Sequence, residues 1–414
     1  MKHVTGLQCT VCGTVYQPHE VDYTCPKDDG NLDVLYDYAA IKSHIERVGF
    51  GKGNGMWRYK ALLPIAPDAS EPPLIVGDTP LYQSDRVAQQ LGVTGVWFKD
   101  DGRNPTASLK DRASALIVAK AMAEGRDIVT TASTGNAAAA LAGLAASVQM
   151  PTVIFVPASA PPAKITQLLV YGARVLLVEG TYDDAFELCL EATHRFGWYC
   201  RNTGYNPYTS EGKKTVAYEI CEQFSGQPGV FAAPDVIFVS VGDGNIISGL
   251  HKGLKDLHAL GWIEQIPRII GVQAEGSAAM YKAWKEGLDP HTMPPIDAHT
   301  IADSISAGLP RDRVKALRAI TETGGSYLTV SDDEIIAAIP VLARATGIFA
   351  EPAASATYAG MVKAAKEGML KSQDRVVGLL TGNGLKDVAS AMRSVSEAPR
   401  IKPSLAEVER VIGQ

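Results

Sequence analysis

Between residues 127 and 200, short apolar runs alternate with longer runs that space their apolar residues as helices do. Asp127-Ile128-Val129-Thr130-Thr131 reads as a strand and Ala137 to Ala146 as a helix. Strand Thr152 to Val156, helix Pro162 to Tyr171, strand Ala173 to Val178 and helix Tyr182 to Phe196 follow. Neighbouring strands joined through a helix run parallel, because an antiparallel pair closes with a tight turn instead. The alternation therefore predicts an α/β fold with helices on the faces of a parallel sheet. Open sheets of this kind bind ligands beyond the carboxyl ends of their strands, so the strand-to-helix turns are the places to look for function.

Four turns share one form: strand, small polar turn, helix N-terminus. In the first, the strand Val96 to Phe98 runs through Gly102-Arg103-Asn104-Pro105, a turn-prone cluster, into the alanine-rich helix Ala113 to Ala123. Ser108 is the expected N-cap and Asp111 a first-turn carboxylate. Lys110 then sits in the first turn, where the partial positive charge of the helix end lowers an ammonium pKa and suits the amine to Schiff-base chemistry. In the second turn, Ser133-Thr134-Gly135-Asn136 opens a helix whose backbone N–H groups can receive an anion. In the third, the apolar strand Val236 to Val241 runs into Gly242-Asp243-Gly244-Asn245-Ile246-Ile247, a phosphate cradle in form. It is no dinucleotide fingerprint, since Ile247 holds the third glycine position, and it lacks the Gly-Lys-Ser/Thr ending of a Walker loop. The fourth joins the strand Val376 to Leu380 to Thr381-Gly382-Asn383-Gly384. A Schiff-base lysine, an anion cradle and hydroxyl or amide groups for a ring are what pyridoxal phosphate needs.

A chain of 414 residues holds two to three domains at roughly 150 residues each. With 46% hydrophobic residues, 20% charged residues and a net charge of -6, nucleic acid and anionic membrane surfaces are poor partners. No apolar run reaches the ~18 residues of a membrane span. Met1-Lys2-His3-Val4-Thr5-Gly6-Leu7 has no apolar signal core, and six cysteines are too few for a disulfide scaffold, so a reduced cytosol is expected. Cys9-Thr10-Val11-Cys12 and Cys25 form most of a zinc ribbon, with Asp28 where a fourth cysteine would stand. Asp28 or His19 could complete a three-cysteine site; without metal the arm is a small β-hairpin. Further on, Asn206 to Lys214 reads as a loop before the helix Thr215 to Phe224. Ser331 and Glu334 form a capping box, and Pro340 is expected to kink or split the helix they start. A polar connector and one helix follow Pro399.

Read together, the CxxC arm, Asn104-Pro105-Thr106, Ser108-Leu109-Lys110-Asp111-Arg112, Ser133-Thr134-Gly135-Asn136, Val241-Gly242-Asp243-Gly244, Thr300-Ile301-Ala302-Asp303, Glu351-Pro352 and Thr381-Gly382-Asn383-Gly384-Leu385-Lys386-Asp387 resemble the threonine synthases. These belong to the tryptophan-synthase-β-like, fold-type II class of pyridoxal-phosphate enzymes, and the likeness spans nearly the whole chain. It implies two open, mostly parallel twisted sheets flanked by helices, with the cofactor in the cleft between them and a small zinc-ribbon-like arm. The implied domains are the arm at 1–37, a large cofactor-binding domain at 38–114 and 206–398, a small α/β domain at 115–205 and a C-terminal helix at 399–414. By the resemblance Lys110 carries pyridoxal 5'-phosphate and later moves protons. Asn136 meets the ring hydroxyl, Gly242, Asp243, Gly244, Asn245 and Ile246 hold the phosphate, and Thr381 faces the ring nitrogen. Ser133, Thr134 and Gly135 take the substrate carboxylate, and Cys9, Cys12 and Cys25 are the candidate zinc ligands. The implied reaction turns O-phospho-L-homoserine and water into L-threonine and phosphate, in a cytoplasmic homodimer.

Three positions depart from the family. Thr209 stands in Asn206-Pro207-Tyr208-Thr209 where many members have an arginine. The run Pro161-Pro162-Ala163-Lys164-Ile165-Thr166 looks altered, and Asn383 replaces a common histidine. One lost guanidinium–phosphate contact removes roughly 1.5–3 kcal/mol. Lys164, Lys213, Lys214 and Arg103 are candidates to compensate, although Lys213 and Lys214 are expected to be a solvated helix start. Thr209 thus keeps open a related lyase or β-replacement enzyme acting on an unphosphorylated amino acid, such as a serine/threonine dehydratase. A catalytically idle protein of the same fold fits poorly with an intact Lys110, Asn136 and Thr381.

Overall fold

The computed structural model describes residues 3–51, 53–160 and 162–413. Met1, Lys2, Lys52, Pro161 and Gln414 lie outside the described residues, so the start of the arm, the first residue of the altered run and the last residue of the C-terminal segment are not covered. The arm is a three-stranded antiparallel sheet, β1 (Val4–Cys9), β2 (Val15–Tyr16) and β3 (Leu32–Tyr36), in the order β2-β1-β3.

The chain then starts a large sheet with β4 (Leu81–Gln83) and β5 (Gly95–Asp100). It leaves through the helix Lys110–Ala123 and builds a second sheet from β6 (Val129–Ala132), β7 (Thr152–Pro157), β8 (Arg174–Val178) and β9 (Tyr199–Cys200). That sheet is wholly parallel, in the order β8-β7-β6-β9. The chain returns with β10 (Val236–Ser240), β11 (Arg268–Ala274), β12 (Ser326–Val330) and β13 (Arg375–Leu380). The completed large sheet has the order β12-β11-β10-β13-β5-β4, with only β4 antiparallel to its neighbour. Every residue of β10 is buried, as helices on both faces require. The expected architecture, two mostly parallel sheets with helices and a small arm, is the one observed. Among the described residues no helix is long and apolar enough to cross a membrane.

Three local expectations fail for physical reasons. Ser108 is not an N-cap: the helix begins at Lys110 with Leu109 before it, and the buried Ser108 hydroxyl has no partner. Asp111 turns back instead and accepts the Thr106 N–H at 2.7 Å, together with the Thr106 hydroxyl. Pro340 sits inside one continuous helix, Asp332–Thr346, which starts with the expected Ser331–Glu334 capping box. The stretch read as a loop from Asn206 is a helix, Tyr208–Lys213, and neither Lys213 nor Lys214 is solvated. Pro, Ser and Gly made that stretch look like a turn, but glycine here serves close packing. A Cβ on Gly212 would lie 2.3 Å from the Arg112 carbonyl oxygen, and one on Gly253 would lie 2.4 Å from that of Lys214. The short helix is thus wedged between Lys110–Ala123 and Asn245–Ala259, two of the helices that start at the cleft.

Buried charge fixes the same region. Arg112 pairs with Asp101 at 2.6 Å and Glu219 at 2.7 Å, and Lys99 pairs with Glu219 at 2.7 Å. These pairs tie β5, the Lys110 helix and the helix Thr215–Ser225 into one frame.

Candidate active site

Lys110 occupies the first position of its helix, held there by backbone bonds from its neighbours. The Leu109 N–H donates to the Thr381 carbonyl at 2.9 Å, and Asn383 N–H donates to Ala107 at 3.1 Å. The end of β13 therefore sets where the lysine points. Lys110 lines a cavity of about 560 Å³ and makes no side-chain hydrogen bond or ion pair among the described residues. Burial pushes its ammonium pKa down, against the pull of Glu351.

Two helix N-termini open onto the same cavity. Asn136–Ala146 brings Ser133, Thr134, Gly135 and Asn136, and Asn245–Ala259 brings Gly242, Asp243, Gly244, Asn245 and Ile246. Their unpaired N–H groups and dipoles favour anions there. A Cβ on Gly135 would meet nothing within 4 Å, so the glycine leaves open space in front of its helix. Gly244 has φ +86, which glycine adopts freely, and its missing Cβ lets Ala316 pack behind the turn.

Lys110 and both turns, Ser133 to Asn136 and Gly242 to Ile246, thus line one cavity. Thr381 is buried one residue beyond β13, beside the Lys110 backbone, and its side chain does not line this cavity. Asn136 donates its amide to both oxygens of Glu351, at 2.9 and 3.0 Å. Arg103 is largely exposed, Lys214 is taken by Glu211 and Asp256, and Lys164 pairs with Asp303 at the cavity edge.

Ser240 and Arg201 have no role in the sequence reading, Glu351 enters it only within a family motif, and Lys213 only as a candidate to compensate that is expected to be solvated. Glu351 is buried beside Asn136, and burial raises its carboxyl pKa. Ser240 at the end of β10 lines the cavity with an unpartnered hydroxyl. Arg201, just after β9, and Lys213 line it as well. The position of Ser240 at the end of one strand and of Arg201 directly after another was a usable signal. The burial of Glu351 and Lys213 had none.

These residues fit pyridoxal phosphate. An unpaired lysine, a glycine turn at a helix N-terminus, an orphaned hydroxyl and an amide beside a buried carboxylate supply the amine, anion cradle and ring contacts that the group requires. Apart from the cleft, Cys9, Cys12, Cys25 and Asp28 place one ligand atom each within 4.8 Å of one another, and His19 does not belong to that group. The Cys9 thiol receives the Val11 and Cys12 N–H groups at 3.3 and 3.4 Å.

Comparison with known proteins agrees with this geometry. The profile of the family described as pyridoxal-phosphate dependent enzyme matches residues 73–382. A threonine synthase of Methanosarcina acetivorans is 40% identical over 95% of this chain and 95% of its own length. One from Methanocaldococcus jannaschii is 35% identical over 98% of each. Among solved structures, a threonine deaminase of Solanum lycopersicum superposes with a TM-score of 0.63 at 22% identity, over 77% of this chain and 87% of that one. A diaminopropionate ammonia lyase of Escherichia coli superposes with 0.64 at 18%, over 76% and 87%. Those two likenesses speak for the fold alone.

Proposed function

The chain belongs to the threonine synthase family of pyridoxal-phosphate dependent enzymes, and we propose that it converts O-phospho-L-homoserine and water to L-threonine and phosphate by γ-elimination and β-addition. The observation that carries this is the convergence of an unpaired lysine and two anion-receptive helix ends on one cavity. Bound there, the cofactor supplies an electron sink for negative charge developing next to the amino group.

The chain supplies the rest. Lys110 would hold the cofactor through Nζ and, as the free amine, would take the Cα proton, give it up, and then take a Cβ proton. Its burial favours the free amine that accepts a proton. Ser133, Thr134 and Gly135 orient the α-carboxylate at the Asn136 helix end, and Gly242 to Ile246 hold the cofactor phosphate. Asn136 is assigned to the ring hydroxyl. Thr381, buried at the end of β13 just behind the cavity lining, is assigned to the ring nitrogen by the family resemblance; a neutral hydroxyl there does not keep the nitrogen protonated as a carboxylate would, which favours elimination and replacement over transamination. Lys164 and Asp303 pair at the solvent edge of the cavity. In this reading residues 38–114 and 206–398 form the cofactor domain and 115–205 the smaller one. The protein acts as a homodimer in a reduced cytoplasm, which its six free cysteines suit.

We also assign zinc to the arm, because three thiols and one carboxylate at this spacing are a tetrahedral donor set. The purified protein should carry one zinc per chain by elemental analysis, and Cys25→Ala should carry none. Metal-free wild-type protein would remove the assignment.

Activity is tested on holoenzyme given O-phospho-L-homoserine, L-threonine or L-serine separately. Equal amounts of phosphate and threonine from the first are expected. No phosphate, with 2-oxoacid from serine or threonine, would make the protein a dehydratase-like lyase instead.

A further inference from the structure

Buried cations normally have a carboxylate beside them, since an unpaired charge out of water is costly. Six buried lysines and arginines obey this, with a carboxylate oxygen within 4.0 Å: Lys99, Arg112, Lys120, Lys214, Lys252 and Lys315. Among the described residues two buried cations do not, Arg201 and Lys213, which are 1% and 2% exposed. Both line the active-site cavity.

Their remaining contacts are neutral and incomplete. Arg201 donates from Nη1 to the Thr203 hydroxyl at 2.8 Å and from Nε to the Ser114 hydroxyl at 3.4 Å, while Nη2 is buried without any partner. Lys213 donates one hydrogen, to Asn245 Oδ1 at 2.5 Å, of the three that an ammonium carries. Burial lowers both pKa values; the Arg201 and Lys110 charges push Lys213 down further while Asp312 and Asp243 pull it back, and Arg201 at about 10 stays protonated at neutral pH. Two buried basic groups on one cavity, with free donors and no carboxylate within 4.0 Å, describe a site for a multiply charged anion. Thr209, one helical turn before Lys213, carries no charge, and its hydroxyl is held by Asn206 and Asn245.

We propose that Arg201 and Lys213 form a second anion subsite that takes the side-chain phosphate of the substrate and retains it as inorganic phosphate when the Cγ–O bond breaks. This rests on the reading of the substrate as a phosphate ester. A phosphate carries about -1.5 to -2 at neutral pH and accepts several hydrogen bonds, which matches a guanidinium and an ammonium better than a carboxylate does.

The test measures inorganic phosphate binding to the holoenzyme by calorimetry, beside cofactor affinity and the KM for O-phospho-L-homoserine. Arg201→Gln and Lys213→Met should each weaken phosphate binding ~10–100-fold and raise KM similarly. Arg201→Lys should recover part of the loss, with cofactor affinity changed less than ~3-fold throughout. Unchanged phosphate binding in folded Arg201→Gln would overturn the proposal, as would a loss of cofactor affinity in its place. If phosphate binding depends on both residues but the ester is not turned over, the subsite stands and the substrate reading falls. If the ester is turned over with a KM indifferent to both, the subsite falls alone.

Discussion

Lys110 faces the cavity without a hydrogen-bond partner, so removing its side chain should disturb the chemistry far more than the fold. Lys110→Ala is expected to lower turnover by ~10²–10⁴-fold or more, with a thermal midpoint close to that of the wild type. Assays on purified protein alongside a thermal melt check this. Gly135 gives a second prediction. Its missing Cβ faces open space, so Gly135→Ala should fold normally yet crowd the anion position at the helix end. The KM for the amino acid should rise roughly tenfold or more, while cofactor content, read by absorbance, holds. Lys110, Ser133, Gly135 and Gly242 were legible because turn chemistry and helix ends are local. Arg201, Lys213 and Glu351 were not, because their roles depend on which distant segments exclude water around them.

The short helix Tyr208–Lys213 transmits packing to the site. It lies against the helix that begins with Lys110, and Gly212 leaves no room for a side chain between them. Gly212→Ala must push those backbones apart, since a Cβ would lie 2.3 Å from the Arg112 carbonyl. A cost of ~1–3 kcal/mol is expected, with weaker cofactor binding, measured by denaturant unfolding and cofactor titration. An unchanged cofactor affinity would mean that this helix does not set the lysine position. Elements with a strong period were readable: the helix Tyr182–Phe196 and the Ser331–Glu334 capping box stand where the sequence puts them. The helix at Tyr208 was hidden because its Pro, Ser and Gly content signals a turn, and tertiary packing decides otherwise. Pro340 misled in the opposite sense, because its helix continues through the missing N–H bond.

Across the molecule, Glu219 joins the frame on which the cleft stands. It binds Arg112 and Lys99 and accepts the Asp78 N–H at 2.9 Å. Burial alone would raise its carboxyl, but Arg112 and Lys99 outweigh that and hold it down at about 2. A depressed carboxyl stabilises the fold above its ordinary value, and that stability is lost as pH falls from about 4.5 toward about 2. Asp100 and Asp111 act in the opposite direction, since burial raises each to about 6 and their contribution is lost as pH rises through that value. Glu219→Gln should therefore cost ~3 kcal/mol at pH 7 and less at pH 3, by denaturant unfolding at the two pH values. The two-sheet architecture was legible from the strand–helix alternation, whereas this charged hub joins residues far apart in sequence and shows no local signature. Lys110 is the lysine proposed to carry the cofactor, and the cavity offers a rival in Lys213, also without a carboxylate within 4.0 Å. Reducing the holoenzyme with borohydride and mapping the labelled peptide by mass spectrometry decides between them. The pyridoxyl label is expected on Lys110 alone; a label on Lys213, or on neither, would rule out Lys110 as the lysine that carries the cofactor.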